Sequence, residues 1–232
     1  MAKPFETWTV LPHRPVQKLE ENLWFVEGKL GNIRRVMVVA RLKDGRLVIW
    51  NAIALDEAHM KELEAWGTPA FLVVPNAMHR MDCKIWKQRY PELKVIAPAA
   101  ARAKVHQLIP VDGTDGDFGD DSVRVFAPEP TRGRDAAMEV RSQGGTTLVV
   151  NDLVFNQRNQ PGLAGLAFRL AGFTGDKPRV PPAARLFFVK DKPGLKLWFE
   201  AEAQKAHKRL IVSHGDIVDA PAQALRDAAA SF

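Results

Sequence analysis

The 232-residue chain carries 33 Lys and Arg against 27 Asp and Glu, a net charge of +6, with 46% hydrophobic residues and one cysteine. A lone cysteine excludes an intramolecular disulfide and points to a reducing compartment, the cytoplasm. No apolar run approaches the ~20 residues that a membrane-spanning helix needs, so no membrane is expected; the basic residues are scattered, with pairs such as Arg34-Arg35 and Lys208-Arg209 as the longest runs, and nucleic acid is not an expected partner.

The length suits one domain over 1–232. In chain order, 23–26, 35–40 and 46–50 are short runs of β-branched and aromatic residues that read as strands. Asp44-Gly45 between the last two signals a hairpin. Asp56 reads as the cap of a helix with Leu55, Met60, Leu63 and Trp66 as its apolar stripe and Gly67 as its stop. The continuous run 70–74 predicts a strand buried on both faces. A helix over 82–89, stopped by Pro91, and a strand at 94–96 follow. Then come strands at 122–126, 137–141 and 146–150, a short helix within 161–179, a helix over 193–207, a strand at 209–212 and a last helix near 222–230. Two strand-rich halves, each closing with helices, predict two packed sheets with helices outside.

Three predicted strand ends carry polar residues. They are Val74-Pro-Asn-Ala-Met-His-Arg-Met-Asp-Cys83, Val150-Asn-Asp-Leu-Val-Phe-Asn156 and Val212-Ser-His-Gly-Asp-Ile217. Sites in layered α/β proteins gather where such ends converge. An Asp at one end and a His at another suit metal ligation or acid/base work. His79, Asp152 and His214 are therefore the candidate catalytic residues.

These segments resemble the metallo-β-lactamase superfamily over roughly 17–230. Val150-Asn-Asp-Leu-Val-Phe155 resembles the strand end whose Asp bridges two metals in those proteins, and Ile211-Val-Ser-His-Gly215 resembles their final His motif. Pro75-Asn76-x-x-His79, Arg89-Tyr90-Pro91 and Asn151-Asp152-Leu-Val-Phe-Asn156 are similar to a branch of unknown function with an altered first motif. The resemblance implies a four-layer αββα sandwich of two mixed β-sheets flanked by helices. It also exposes departures. Where the superfamily has His-x-His-x-Asp-His, one register places Asn76, Met78, Arg80 and Met81 at the ligand positions. A second register keeps Asp82 and Cys83 in place of Asp-His. The segment 127–133, where the next His is due, has none.

The metal candidates are thus Asp82, Cys83, Asp152 and His214, enough for a single zinc, iron or manganese ion, although no bound cofactor is the expectation. Asn76, Arg132 and Arg134 are candidate ligand-binding residues, the arginines as a bidentate clamp on an anion. The favoured reading is a ligand- or partner-binding protein without the two-metal site, its partner a small anionic molecule or a protein. The rival is a single-metal or metal-free hydrolase of an ester or phosphoester. Cys83 four residues after His79 raises a nucleophile against the plainer reading of a small buried residue. The acidic stretch 112–121 reads as a solvated turn. The apolar stretch 162–172 reads as core or intramolecular cover, with a homodimer contact as the alternative.

Overall fold

A computed structural model describes residues 3–232. Its architecture is visible in one strand, β3 (Ile33–Arg41). Val36, Val38 and Ala40 point into one core while Met37 and Val39 point into another. Successive strand side chains alternate between faces, so a strand apolar on both must lie inside a stack of layers.

β3 belongs to a six-stranded sheet with β1 (Gln17–Glu20), β2 (Leu23–Leu30), β4 (Arg46–Trp50), β5 (Thr68–Val73) and β6 (Lys94–Ile96), ordered as in sequence. β1 to β4 run antiparallel. β4, β5 and β6 are parallel, because helices α1 (Glu57–Trp66) and α2 (Cys83–Arg89) supply the crossovers. A third helix, α3 (Ala99–His106), follows. The second sheet has the order β10-β9-β8-β7, from β7 (Val123–Phe126), β8 (Ala137–Ser142), β9 (Gly145–Val150) and β10 (His207–Val212). Between β9 and β10 run α4 (Gly162–Leu170), α5 (Pro182–Phe187) and α6 (Lys192–Gln204), and α7 (Pro221–Ala230) closes the chain.

Three cores separate four layers. Met60, Leu63, Ile85 and Trp86 pack from the first helices onto Val39, Ile49 and Leu72 of the large sheet. Between the sheets, Phe25, Val38 and Trp50 meet Val125, Met138 and Ile211. Beyond the small sheet, Leu148 and Leu210 pack against Leu195, Phe199 and Leu225. This is the αββα sandwich of two mixed sheets that the sequence predicts.

Local signals behave as their chemistry requires. Gly45 takes φ +87 in the β3–β4 turn, where a residue without Cβ is unstrained. Asp56 Oδ1 caps α1 by accepting from the His59 amide at 3.0 Å. The acidic stretch 112–121 is tied down more than a free turn would be, since Asp120 accepts from the Lys43 and Ser122 amides. β1, α3 and α5 lie outside the sequence expectations. β1 offers only Leu19 to a core, and α3 buries only Ala101 and Val105, so neither shows a readable apolar period.

Candidate functional site

The two sheets align so that β5, β9 and β10 end close together. Pro75, past β5, accepts from the Ala136 amide at 3.0 Å, and the Asn156 amide donates to the His214 carbonyl at 3.0 Å. Gly215, at φ +140, lets the chain after His214 press on Asn156; a Cβ there would lie 2.2 Å from the Asn156 carbonyl carbon. These contacts bring His79, Asp152 and His214 together.

Oδ1 of Asp152 lies 3.1 Å from His79 Nε2 and 3.2 Å from His214 Nε2. The other nitrogen of each ring is committed. His214 Nδ1 is 2.7 Å from the backbone carbonyl of Arg34, and His79 Nδ1 is 2.9 Å from Asn51 Oδ1. A carbonyl only accepts, so His214 carries a proton on Nδ1. The Asn51 amide nitrogen donates to the Val36 carbonyl at 2.7 Å, which turns its oxygen to His79 and puts that proton on Nδ1 as well. Both Nε2 atoms therefore aim at a carboxylate oxygen. Either each ring holds a second proton, or a cation takes all three lone pairs.

Behind this trio lies a buried polar layer. Asn76, fully buried, donates to Asp152 Oδ2 at 2.8 Å and to Asp135 Oδ1 at 2.9 Å. Its oxygen accepts from the Met78 and His79 amides at 2.8 and 3.2 Å, shaping the loop that carries His79. Asn151 Nδ2 also donates to Asp135 Oδ1, and the Asp152 amide donates to Asp135 Oδ2. Burial works to raise the Asp152 pKa, but the charges and hydrogen bonds of His79 and His214 hold it well below the usual carboxylate range. Burial and the charge of Asp152 push Asp135 the other way, well above that range. Asp135 and Asn51 had no signal in the sequence, since neither sits in a recognisable motif.

The remaining candidates lie elsewhere. Asp82 stands at the start of α2, buried and ion-paired with Arg35, and accepts from the Ala54 amide at 3.0 Å. Burial raises its pKa against the pull of Arg35. Cys83 donates its thiol to the Arg80 carbonyl at 3.1 Å, and burial pushes it up to about 12, which disfavours the thiolate that a nucleophile needs. Neither joins the His79 cluster. Arg132 and Arg134 are exposed, and neither lines the cavity beside that cluster.

Two further His-acid clusters occur among the described residues. In one, His13 Nε2 accepts from the Asp56 amide at 3.3 Å while Asp56 caps α1 and contacts His59. In the other, Glu139 is held by Arg124 and Lys205, and Glu202 by Lys205 and His207. The carboxylates of both clusters already have donors or cations. The trio at Asp152 differs in facing a cavity, which neither of the others lines.

That trio faces a cavity of about 400 Å³. Its lining includes Leu30 and Ile33 at the β2–β3 turn, Met78, Phe168 of α4, Phe173 and Phe187. Arg35 and Gln157 reach it too. α4 gives Phe168 to the lining but is not core: of its residues only Gly165 is buried, and Leu163, Leu166 and Leu170 are exposed.

Solved structures place this architecture. The DIM-1 metallo-β-lactamase superposes with a TM-score of 0.65 at 14% identity, covering 96% of this chain and 99% of that one. The fold is that of the metallo-β-lactamases. A metallo-β-lactamase from Pontibacter korlensis gives a TM-score of 0.61 at 14% identity over 94% and 99% of the two chains. The mono-zinc form of the metallo-β-lactamase FIM-1 from Pseudomonas aeruginosa gives 0.59 at 15% identity over 93% and 97%. No family model matches the chain, and no curated protein matches it in sequence.

Proposed function

We propose that this metallo-β-lactamase-fold protein is a hydrolase that holds one divalent cation on His79, Asp152 and His214. The observation that carries the proposal is the convergence of two Nε2 atoms on Asp152 Oδ1, with both Nδ1–H groups already given to carbonyl oxygens. Metal-bound histidines are oriented by such second hydrogen bonds. Ligand atoms at ~2.0–2.1 Å around a tetrahedral zinc lie about 3.3 Å from one another, close to the 3.1 and 3.2 Å separations here.

One ion fits better than two. Asn76 donates to both Asp135 and Asp152, so its amide hydrogens take the carboxylate oxygens that a second cation would need. A mono-zinc form of FIM-1, of the same fold, shows that the fold accommodates single occupancy in a neighbour. A divalent cation supplies Lewis-acid polarisation of a carbonyl or phosphoryl oxygen and lowers the pKa of nearby water. The protein's own groups set the conditions for that chemistry. Asn51 and the Arg34 carbonyl fix the imidazole rings, and Asn76 holds the second oxygen of Asp152.

The direct test compares zinc-loaded and chelated protein on p-nitrophenyl acetate and bis-p-nitrophenyl phosphate. Turnover of either that falls on chelation and in Asp152→Asn supports the proposal. Equal rates in loaded, chelated and variant protein overturn it.

A further inference from the structure

Resting on that reading, we infer that the cavity beside His79 takes the apolar chain or ring of a neutral ester, whose carbonyl lies at the Asp152 end. The proposal follows from how the cavity's chemistry is divided. Its floor is polar, with His79, Asp152 and His214. Its walls are not: Leu30, Ile33, Met78, Phe168, Phe173 and Phe187 come from three separated stretches of chain and turn apolar surface inward. Ligand sites combine an apolar lining with a few placed polar groups in this way.

The charge balance disfavours an anion. Arg35 is the lysine or arginine that reaches the cavity among the described residues, and it is ion-paired with buried Asp82. Its positive charge is already neutralised, and the exposed Arg132 and Arg134 are not in the lining. A second carboxylate or phosphate in the ligand would find no free cation in these walls.

Size limits the ligand. At the ~30 Å³ that a water-sized group occupies, 400 Å³ holds about a dozen non-hydrogen atoms. A medium-length acyl chain or a substituted ring fits. Hydrolysis then adds water across the ester: a bond forms between water oxygen and the acyl carbon, the acyl-carbon-to-alkoxy-oxygen bond breaks, and the alcohol leaves with one proton of the water.

The experiment is a chain-length series of p-nitrophenyl esters, from acetate to decanoate, on zinc-loaded protein. Each buried methylene should raise kcat/KM about threefold to fourfold until the cavity is full, chiefly through KM. Phe168→Ala and Phe187→Ala should flatten that dependence, whereas Leu163→Ser, on the exposed face of α4, should not. Binding is read separately, by displacing the neutral fluorophore N-phenyl-1-naphthylamine with 1-octanol from chelated wild-type protein. Displacement with no turnover of any ester overturns the hydrolase reading and the ester with it, leaving the apolar pocket. Turnover of acetate with a flat series and no fluorophore binding overturns the inference and leaves the hydrolase standing.

Discussion

The amide of Asn76 donates to Oδ2 of Asp152 at 2.8 Å and so decides which carboxylate oxygen faces the imidazoles. The same side chain holds Asp135 and accepts from two amides of the loop that carries His79. Asn76→Ala removes all four bonds, taking the donor from Asp152 Oδ2 and the acceptor from the Met78 and His79 amides, while Asn151 still donates to Asp135. A loss of about 1–3 kcal/mol is expected for the Asp152 oxygen left unsatisfied, read as a lower urea midpoint. An unchanged midpoint would show that the polar layer reorganises without it.

Asn51 acts on the site through His79. Its oxygen accepts the His79 Nδ1 proton, and its nitrogen is anchored on Val36. Asn51→Ala should therefore weaken zinc binding about 10- to 100-fold, the usual effect of losing a ligand's orienting partner. Competition with a chromophoric chelator measures this. An affinity equal to wild type would remove Asn51 from the account.

The Arg35–Asp82 pair is structural and should behave as a buried ion pair. Arg35→Met leaves Asp82, 2% exposed, without its countercharge and should cost about 3–5 kcal/mol. Combining it with Asp82→Leu should recover much of that loss, short of the bond to the Ala54 amide. Denaturant melts of the two single variants and the double variant test this coupling.

Acid should weaken the outer face of the small sheet. Burial works to raise Glu139 and Glu202, but Arg124, Lys205 and His207 together hold both below the ordinary glutamate value of 4.5. A carboxylate whose folded pKa is depressed stabilises the fold above its unfolded value, and that stability is lost as pH falls through the folded one. Stability should thus decline with pH from about 4.5 downwards, and Glu139→Gln with Glu202→Gln should flatten the decline. Melting temperatures from pH 6 to pH 3 measure the slope.

Much of the fold was legible because its strands announce themselves by alternation and continuous apolar runs, and because Asp44-Gly45 and Asp56 mark a turn and a cap. α3 was not legible, since an alanine-rich helix that buries two side chains has no stripe to read. In the site, Asp152 and His214 stood out as polar residues ending apolar strands, and His79 by its place in the loop after β5. Asp82 and Cys83 looked equally placed, yet the turn into α2 carries them away from that site, to Arg35 and the Arg80 carbonyl. Asp135, Asn51 and the Arg34 carbonyl come from other segments and meet the trio only through sheet packing. No local pattern encodes such meetings.

The central claim is that one cation belongs between His79, Asp152 and His214. Metal content by inductively coupled plasma mass spectrometry, on protein purified without tag or chelator and then incubated with zinc, tests it most directly. About one zinc per chain, lost in Asp152→Ala and in His214→Ala, is the expected result for a three-ligand site. A blank after incubation, or zinc that persists in both variants, would contradict the claim and leave the trio as a hydrogen-bonded cluster that joins the strand ends.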